Sequence, residues 1–105
     1  MYKLIDIASV IRSKNSGPGE LTLDIIFKNH QWYEKAVSRN IIDKTLIARI
    51  YRTEESKVLS VINYEPANAI KITMKRHLKS GDIQDSDIYG AQQHAPLLML
   101  EFEEL

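Results

Sequence analysis

The stretch that decides the fold is residues 12–27, RSKNSGPGELTLDIIF. Its second half alternates between apolar and polar side chains, and the apolar ones stand at every second position: Leu21, Leu23, Ile25 and Phe27. A period of two places successive side chains on opposite faces of a β-strand, so that one face can enter a core. The pattern therefore predicts a strand over 21–28 in a sheet with one buried face.

The first half of the stretch has the composition of a loop. Gly17 and Gly19, on either side of Pro18, are usual turn formers, because glycine supplies unusual φ angles and proline adds rigidity. A second interpretation stays open, in which Arg12 and Lys14 supply charge and the glycines let backbone N–H groups point at a phosphate or carboxylate. The loop lacks the Lys-Ser/Thr ending of a P-loop, and the spacing alone favours the turn.

Outward from this stretch, the hydrophobic pattern predicts two short helices and further strands. Apolar side chains with a 3.6-residue period predict helices over 31–38 and 43–52, with Asp43 as the N-cap of the second. Alternation and runs rich in Val, Ile and Tyr predict strands over 3–11, 57–65, 70–76 and 97–103. Apolar residues on both faces of 3–11 favour a central strand. Residues 77–96 have no period, and so long a loop in a small domain is either functional or poorly ordered.

The resulting order of elements is β-β-α-α-β-β-β. It predicts an α+β fold in which a mainly antiparallel sheet has two helices packed on one face. A chain of 105 residues forms a single small domain at this size. We therefore expect one sheet and one core, spanning residues 1–105.

The composition excludes several classes of protein. Lys plus Arg and Asp plus Glu both number 14, giving a formal net charge of zero, whereas nucleic-acid-binding proteins normally carry a basic excess. Without cysteine, the chain cannot build disulfide scaffolds, thiolate nucleophiles, or zinc and iron–sulfur sites held by thiolates. No signal peptide is visible, and no apolar run approaches the roughly 20 residues that span a bilayer. We expect a cytoplasmic protein without a nucleic-acid or membrane partner, whose charge balance permits a homo-oligomer.

The sequence predicts no metal or cofactor. The three histidines lack the spacing of a helical zinc site. The acidic run from Asp85 has Tyr89 and Pro96 where a calcium loop needs ligands, so an EF-hand is excluded. Polar turn residues are the favoured interpretation of that run, with a weak metal site as the alternative.

Residues 89–96, YGAQQHAP, form the second unusual loop. Gly90 lets another backbone approach closely, and the side chains of Gln92, Gln93 and His94 can donate and accept hydrogen bonds. Such a polar cluster beside a core strand suits recognition of a substrate or a partner. An exposed loop without such a role is the alternative.

Four blocks of the sequence carry a family resemblance: ASVIRSKNSGPGELTLDIIF, LIARIY, ANAIKIT and DIYGAQQHAPLLMLEFE. In this order, from about residue 4 to 103, they resemble the uncharacterised family DUF4387. That family in turn resembles the small ferredoxin-fold domain attached to, or encoded beside, proteins of the acyclic terpene utilisation A type. The resemblance implies a small subunit or accessory domain that works with a larger protein in acyl-CoA or carboxylic-acid catabolism.

The resemblance also implies a variant of the ferredoxin-like fold. A plain ferredoxin-like fold has the order βαββαβ, whereas this sequence predicts two opening strands and two consecutive helices. Either the fold is a variant of that order, or one predicted strand is a loop and the 77–96 segment contains further structure.

Together with the resemblance, the two unusual loops suggest a site at one end of the sheet. Arg12 and Lys14 would face an anion such as a carboxylate or a CoA phosphate. His94 is the candidate general acid–base, because histidine changes its charge near neutral pH. The candidates for binding a ligand or partner are Arg12, Lys14, Asn15, Gly17, Gly19, Tyr89, Gly90, Gln92 and Gln93.

Two other classes of function stay open. The first is a stand-alone small enzyme of the hydratase or isomerase kind with its site at a homo-oligomer interface, where His94 would pair with Asp85 or Asp87. The second is a structural module that associates with itself and binds no ligand.

Overall fold

The structure is a computed structural model that describes residues 2–17, 19–75 and 94–103. It confirms the predicted α+β fold, in which an antiparallel sheet dominates. The elements are β1 (Tyr2–Lys3), α1 (Leu4–Ile7), β2 (Ala8–Gly17), β3 (Glu20–Phe27), α2 (His30–Ser38), α3 (Lys44–Ile50), β4 (Val58–Tyr64), β5 (Ala69–Lys75), α4 (Ala95–Leu98) and β6 (Glu101–Phe102).

The main sheet contains β2, β3, β5 and β4 in that order, and each neighbouring pair is antiparallel. Among the described residues, β3 and β5 are its central strands, and β2 and β4 are its edges. The connection from β3 to β4 runs through α2 and α3, which carries the chain past the position that β5 later fills. β1 and β6 pair with each other in a separate two-stranded sheet.

One face of the main sheet forms the core. The alternating apolar side chains of its central strands are buried together: Leu21, Leu23, Ile25, Phe27, Ile70, Ile72 and Met74. The two longer helices add buried side chains to the same cluster: Tyr33, Ala36, Ile47 and Ala48. Because each large apolar side chain contributes about 1.5–3 kcal/mol when it is buried, this layer decides which face of the sheet the helices cover.

Both longer helices begin at a capping side chain. The side-chain oxygen of Asn29 accepts a hydrogen bond from the Trp32 backbone N–H at 2.9 Å, and that of Asp43 accepts one from the Leu46 N–H at 2.8 Å. These bonds satisfy backbone donors that have no partner within the helix. The prediction of Asp43 as the N-cap of the second helix is confirmed.

The predicted strand over 3–11 is wrong in its first half. Leu4–Ile7 is one helical turn, and β2 begins only at Ala8. Leu4 and Ile7 are buried three residues apart on one side of that turn, whereas Ile5 between them is 46% exposed. The prediction of a central strand is also wrong, because β2 lies at the edge of the sheet.

The predicted strand over 97–103 is wrong for a similar reason. Residues Ala95–Leu98 form a helical turn with Pro96 in its first positions, where the missing N–H has no intrahelical partner to lose. Leu97 rather than Leu98 is the buried residue. Only Glu101–Phe102 is a strand, and it pairs with β1 instead of joining the main sheet.

The polar stretch before residue 18 is strand rather than loop, because β2 continues to Gly17. Its charged side chains are typical of an edge strand with a solvent-facing side. In the described part of the chain the order up to β5 is β-α-β-β-α-α-β-β: the two consecutive helices are present as predicted, but α1 interrupts the predicted first strand. This order departs from plain βαββαβ, as the sequence predicts. Residues 76–93 of the long aperiodic region lie outside the described part.

Candidate functional site

The face of the main sheet opposite the core, which we name the open face, carries its side chains in rows across the four strands. The register places Arg12, Asp24, Lys71 and Ile62 side by side in a central row. In the described part of the chain, no helix covers this row, and all of its members except Asp24 are exposed. The central row is therefore accessible to a ligand or a partner.

The two rows that flank the central row differ in chemistry. On one side lies an apolar row: Val10, Ile26, Ala69 and Tyr64. On the other side lies a polar row with one cation: Lys14, Thr22, Thr73 and Ser60. The open face thus changes from apolar to hydroxyl-bearing across the charged central row.

A shallow groove of about 420 Å³ lies on the open face. All four members of the central row line it, together with Lys14 of the polar row and Tyr64 of the apolar row. Ile62 is 52% exposed and Tyr64 is 56% exposed, although large apolar side chains are usually buried. Cationic and apolar surfaces therefore meet within one groove.

The central row contains an ion pair that fixes the arginine. Nε of Arg12 lies 3.0 Å from Oδ2 of Asp24, and the side chain of Asp24 is only 9% exposed whereas that of Arg12 is 58% exposed. The guanidinium therefore covers the buried carboxylate through Nε. The two terminal amino groups of the guanidinium carry further N–H donors, of the kind that bind carboxylates and phosphates.

The open face carries an excess of positive charge. Arg12, Lys14 and Lys71 oppose the single carboxylate of Asp24 within the groove. Among the described residues, neither Lys14 nor Lys71 has a carboxylate oxygen within 4.0 Å of its ammonium nitrogen. Since the whole chain has a formal net charge of zero, this excess is local and gives the open face a positive potential.

The structure places the predicted site residues on two sides of β2. Arg12 and Lys14 lie on the open face, whereas Ser13 and Asn15 lie opposite the core residues Leu23 and Leu21. His94 lies on the same side of β2 as Ser13 and Asn15, because its Nδ1 lies 3.5 Å from Oγ of the buried Ser13. The arginine and lysine are therefore separated from His94 by the sheet.

The glycines of the first loop have different roles. Gly19 has a φ of +72°, in the region that favours glycine, and so supports the turn interpretation. A Cβ at Gly17 would meet nothing within 4 Å. The remaining predicted binding residues, Tyr89, Gly90, Gln92 and Gln93, lie outside the described residues, as do Asp85 and Asp87.

A second polar cluster joins α2 to the turn between β4 and β5. The two ring nitrogens of His30 lie 3.1 Å from Oδ1 of Asn68 and 2.9 Å from Oε1 of Glu34. When the ring is protonated, both nitrogens donate to these oxygens. The hydrogen bond to Asn68, with support from Glu34, raises the pKa of His30 above its ordinary value of 6.5.

The described residues contain neither a metal-ligating cluster nor a membrane-spanning helix. Among the described residues, no three His, Asp or Glu side chains form a cluster that could hold a metal ion. No helix in residues 2–17, 19–75 and 94–103 has the length and apolar character needed to cross a membrane.

Sequence reasoning missed part of the open face. Lys71, Ile62 and Tyr64 join Arg12 only through the pairing of β2, β3, β5 and β4. One signal was present: Lys71 alternates with Ile70 and Ile72, which places it on the face away from the core. The partner strands that bring it near Arg12 are not visible in that alternation.

Comparison with known proteins identifies one match. The sequence model of the family described as "Domain of unknown function (DUF4387)" matches residues 4–101. Neither the curated proteins nor the solved structures gave a match.

Proposed function

Because the chain belongs to the DUF4387 family, we propose that it is a small accessory subunit that works with a larger protein of the acyclic terpene utilisation A type. Its setting in this proposal is cytoplasmic acyl-CoA or carboxylic-acid catabolism. The identity of the partner and the pathway come from the resemblance between this family and the small domain associated with such proteins. The structure supports the proposal through the open face, the surface that would contact the partner.

The observation that carries the proposal is the open face. An exposed apolar patch beside polar groups marks a site of interaction, because a domain without a partner rarely exposes such a patch. Here Ile62 and Tyr64 stand about half exposed beside Arg12 and Lys71. The open face therefore has the mixed apolar and charged character of a protein interface or of the floor of a shared site.

In this proposal the two faces of the sheet have different roles, one in folding and the other in binding. The helices and the core hold the four strands rigid from one side, so the rows on the other side keep fixed spacing. A larger partner that covers the open face would exclude water from the Arg12 and Lys71 side chains. Exclusion of water strengthens the attraction between these cations and an anionic substrate group.

Purification from the native host tests this proposal. The chain is tagged at its own chromosomal locus and isolated gently, and the proteins that accompany it are identified and quantified by mass spectrometry. We expect one larger protein in stoichiometric amount. Recovery of the chain alone as a clean homo-oligomer would overturn the proposal.

Replacement of His94 separates the proposal from the stand-alone enzyme. Under that alternative, His94→Ala in the purified protein abolishes turnover. Under the subunit proposal, the same variant still recovers the larger protein, because the contact between His94 and Ser13 lies on the core side of β2.

A further inference from the structure

We infer that the open face binds an amphiphilic anion, with an oxyanion head group on the cations and an apolar body on the adjacent row. The ligand class is a carboxylate or phosphate carried on an aliphatic chain. This inference deepens the proposed function, on which it rests for its biological setting. Its test uses the isolated chain, so that the two can fail separately.

Charge complementarity supports the anionic head group. Arg12, Lys14 and Lys71 line the groove with Asp24 as the only opposing carboxylate among its described lining residues. Asp24 is already engaged by Nε of Arg12 at 3.0 Å. The excess positive charge is therefore available to an incoming anion, and hydrogen bonds between charged groups are the stronger kind.

Geometry places a head-group position over the central row. Asp24 lies between Arg12 and Lys71 in the strand register. Neighbouring strands are about 4.8 Å apart, so the backbones of Arg12 and Lys71 are separated by about 10 Å. Two long side chains across that distance can both reach one oxyanion, with the buried carboxylate beneath them held by the arginine.

The adjacent apolar row would contact the aliphatic chain of the ligand. Each member of the apolar row lies two residues from the central-row member of its own strand: Ile26 and Tyr64 follow it, and Ala69 precedes it in the antiparallel β5. Two residues of strand correspond to about 6.7 Å, which is the spacing between the central row and the apolar row. The groove of about 420 Å³ lies within the usual range of small-molecule sites, about 300–1,000 Å³.

An NMR titration of the purified, isotope-labelled chain tests the inference. The probes are octanoate, octyl phosphate and neutral octanol, which share the aliphatic chain and differ in the head group. We expect octanoate or octyl phosphate to shift amide signals of Arg12, Asp24 and Lys71, and octanol to bind at least about tenfold more weakly, the factor that corresponds to one charged contact. The stronger of the two anions identifies the head group.

Matched substitutions assign the binding to the open face. The double variant Lys14→Gln/Lys71→Gln should weaken binding of the preferred anion by about tenfold or more. The control, Lys28→Gln/Lys44→Gln, removes two exposed lysines that are not part of the groove and should bind as the wild type does. The amide spectrum of each variant shows that it is folded.

Two results would overturn the inference: the absence of binding by both anions, and equal binding by octanol. Where neither small anion binds, binding of a hexaglutamate peptide to the open face would make the occupant an acidic segment of a protein. If a larger protein is recovered from the host but neither anion binds, only this inference fails. If an anion binds but the chain is recovered alone, only the subunit proposal fails.

Discussion

Asp24 connects the stability of the fold to the proposed binding site, because it pairs with Arg12. Its carboxylate is buried although its neighbours in the central row are exposed, and its ion-pair partner among the described residues is the half-exposed Arg12. A buried carboxylate without a hydrogen-bonding partner lowers the free energy of unfolding. Arg12 therefore has a structural role in addition to its proposed role in binding.

Replacement of Arg12 measures this structural role. We expect Arg12→Ala to lower the free energy of unfolding by about 1 kcal/mol, a value discounted for the exposure of the arginine. Urea denaturation at neutral pH measures the change. The control Arg39→Ala removes an exposed arginine that has no ion pair among the described residues and should change stability little. An equal effect of the two substitutions would contradict the role of the Arg12–Asp24 pair.

His30 gives the protein a pH-dependent contribution to stability. Its pKa is raised in the folded state, chiefly by the hydrogen bond to Asn68, so folding favours the protonated ring. The stabilisation is therefore fully present below the ordinary pKa of 6.5 and is lost as the pH rises through the folded-state pKa. The stability difference between the wild type and His30→Gln should shrink over that interval in denaturation experiments at a series of pH values.

A second substitution identifies the cause of this shift. Asn68 has a φ of +53°, so Asn68→Gly removes the side chain and keeps a residue that tolerates this conformation. We expect the pKa of His30, followed by NMR, to move back toward 6.5 in this variant. An unchanged pKa in Asn68→Gly would show that the contact with Asn68 is not the main cause.

At the scale of elements, the sequence predicted best those elements whose regular hydrophobic pattern extends over seven or more residues. α2, α3, β3 and β5 each contain seven or more residues, over which periods of 2 and 3.6 differ clearly. α1 and α4 contain four residues each, of which α1 buries two apolar ones and α4 one. A short strand could bury the same number. The sequence alone therefore cannot separate these two structures at either end of the described chain.

The candidate site was predictable only in part for a related reason. Arg12 and Lys14 stand out in a polar stretch, but that stretch is the edge strand β2 and not a loop. Lys71 and Tyr64 reach the same face through strand pairs that join distant parts of the chain. Alternation assigns a residue to a face of its own strand, whereas the neighbours across the sheet depend on the register.

The turn between β2 and β3 provides a test at this scale with its own control. Gly19→Ala should lower the free energy of unfolding by about 1–2 kcal/mol, because a φ of +72° is unfavourable for a residue with a Cβ. Gly17→Ala should change stability little, since a Cβ there meets nothing within 4 Å. Thermal or urea denaturation compares the two variants. A larger loss for Gly17→Ala than for Gly19→Ala would contradict the assignment of the turn.

At the scale of the whole molecule, the two faces of the sheet have separate tasks. The face beneath α2 and α3 holds the core, and the open face combines cations with exposed apolar side chains. A chain with no net charge can attract an anionic or amphiphilic partner only through such a local arrangement. This asymmetry predicts that substitutions on the open face affect association more than substitutions elsewhere.

The most direct test compares three versions of the tagged chain in the native host. They are the wild type, the open-face variant Ile62→Thr/Tyr64→Thr, and the control Ile5→Thr/Met99→Thr, which alters two exposed apolar residues away from the open face. The amount of the larger protein recovered per mole of tagged chain is the measurement. A separate binding role for the open face predicts stoichiometric recovery with the wild type and the control and a loss of recovery with the open-face variant. Equal recovery with all three, or no larger protein with any of them, would contradict it.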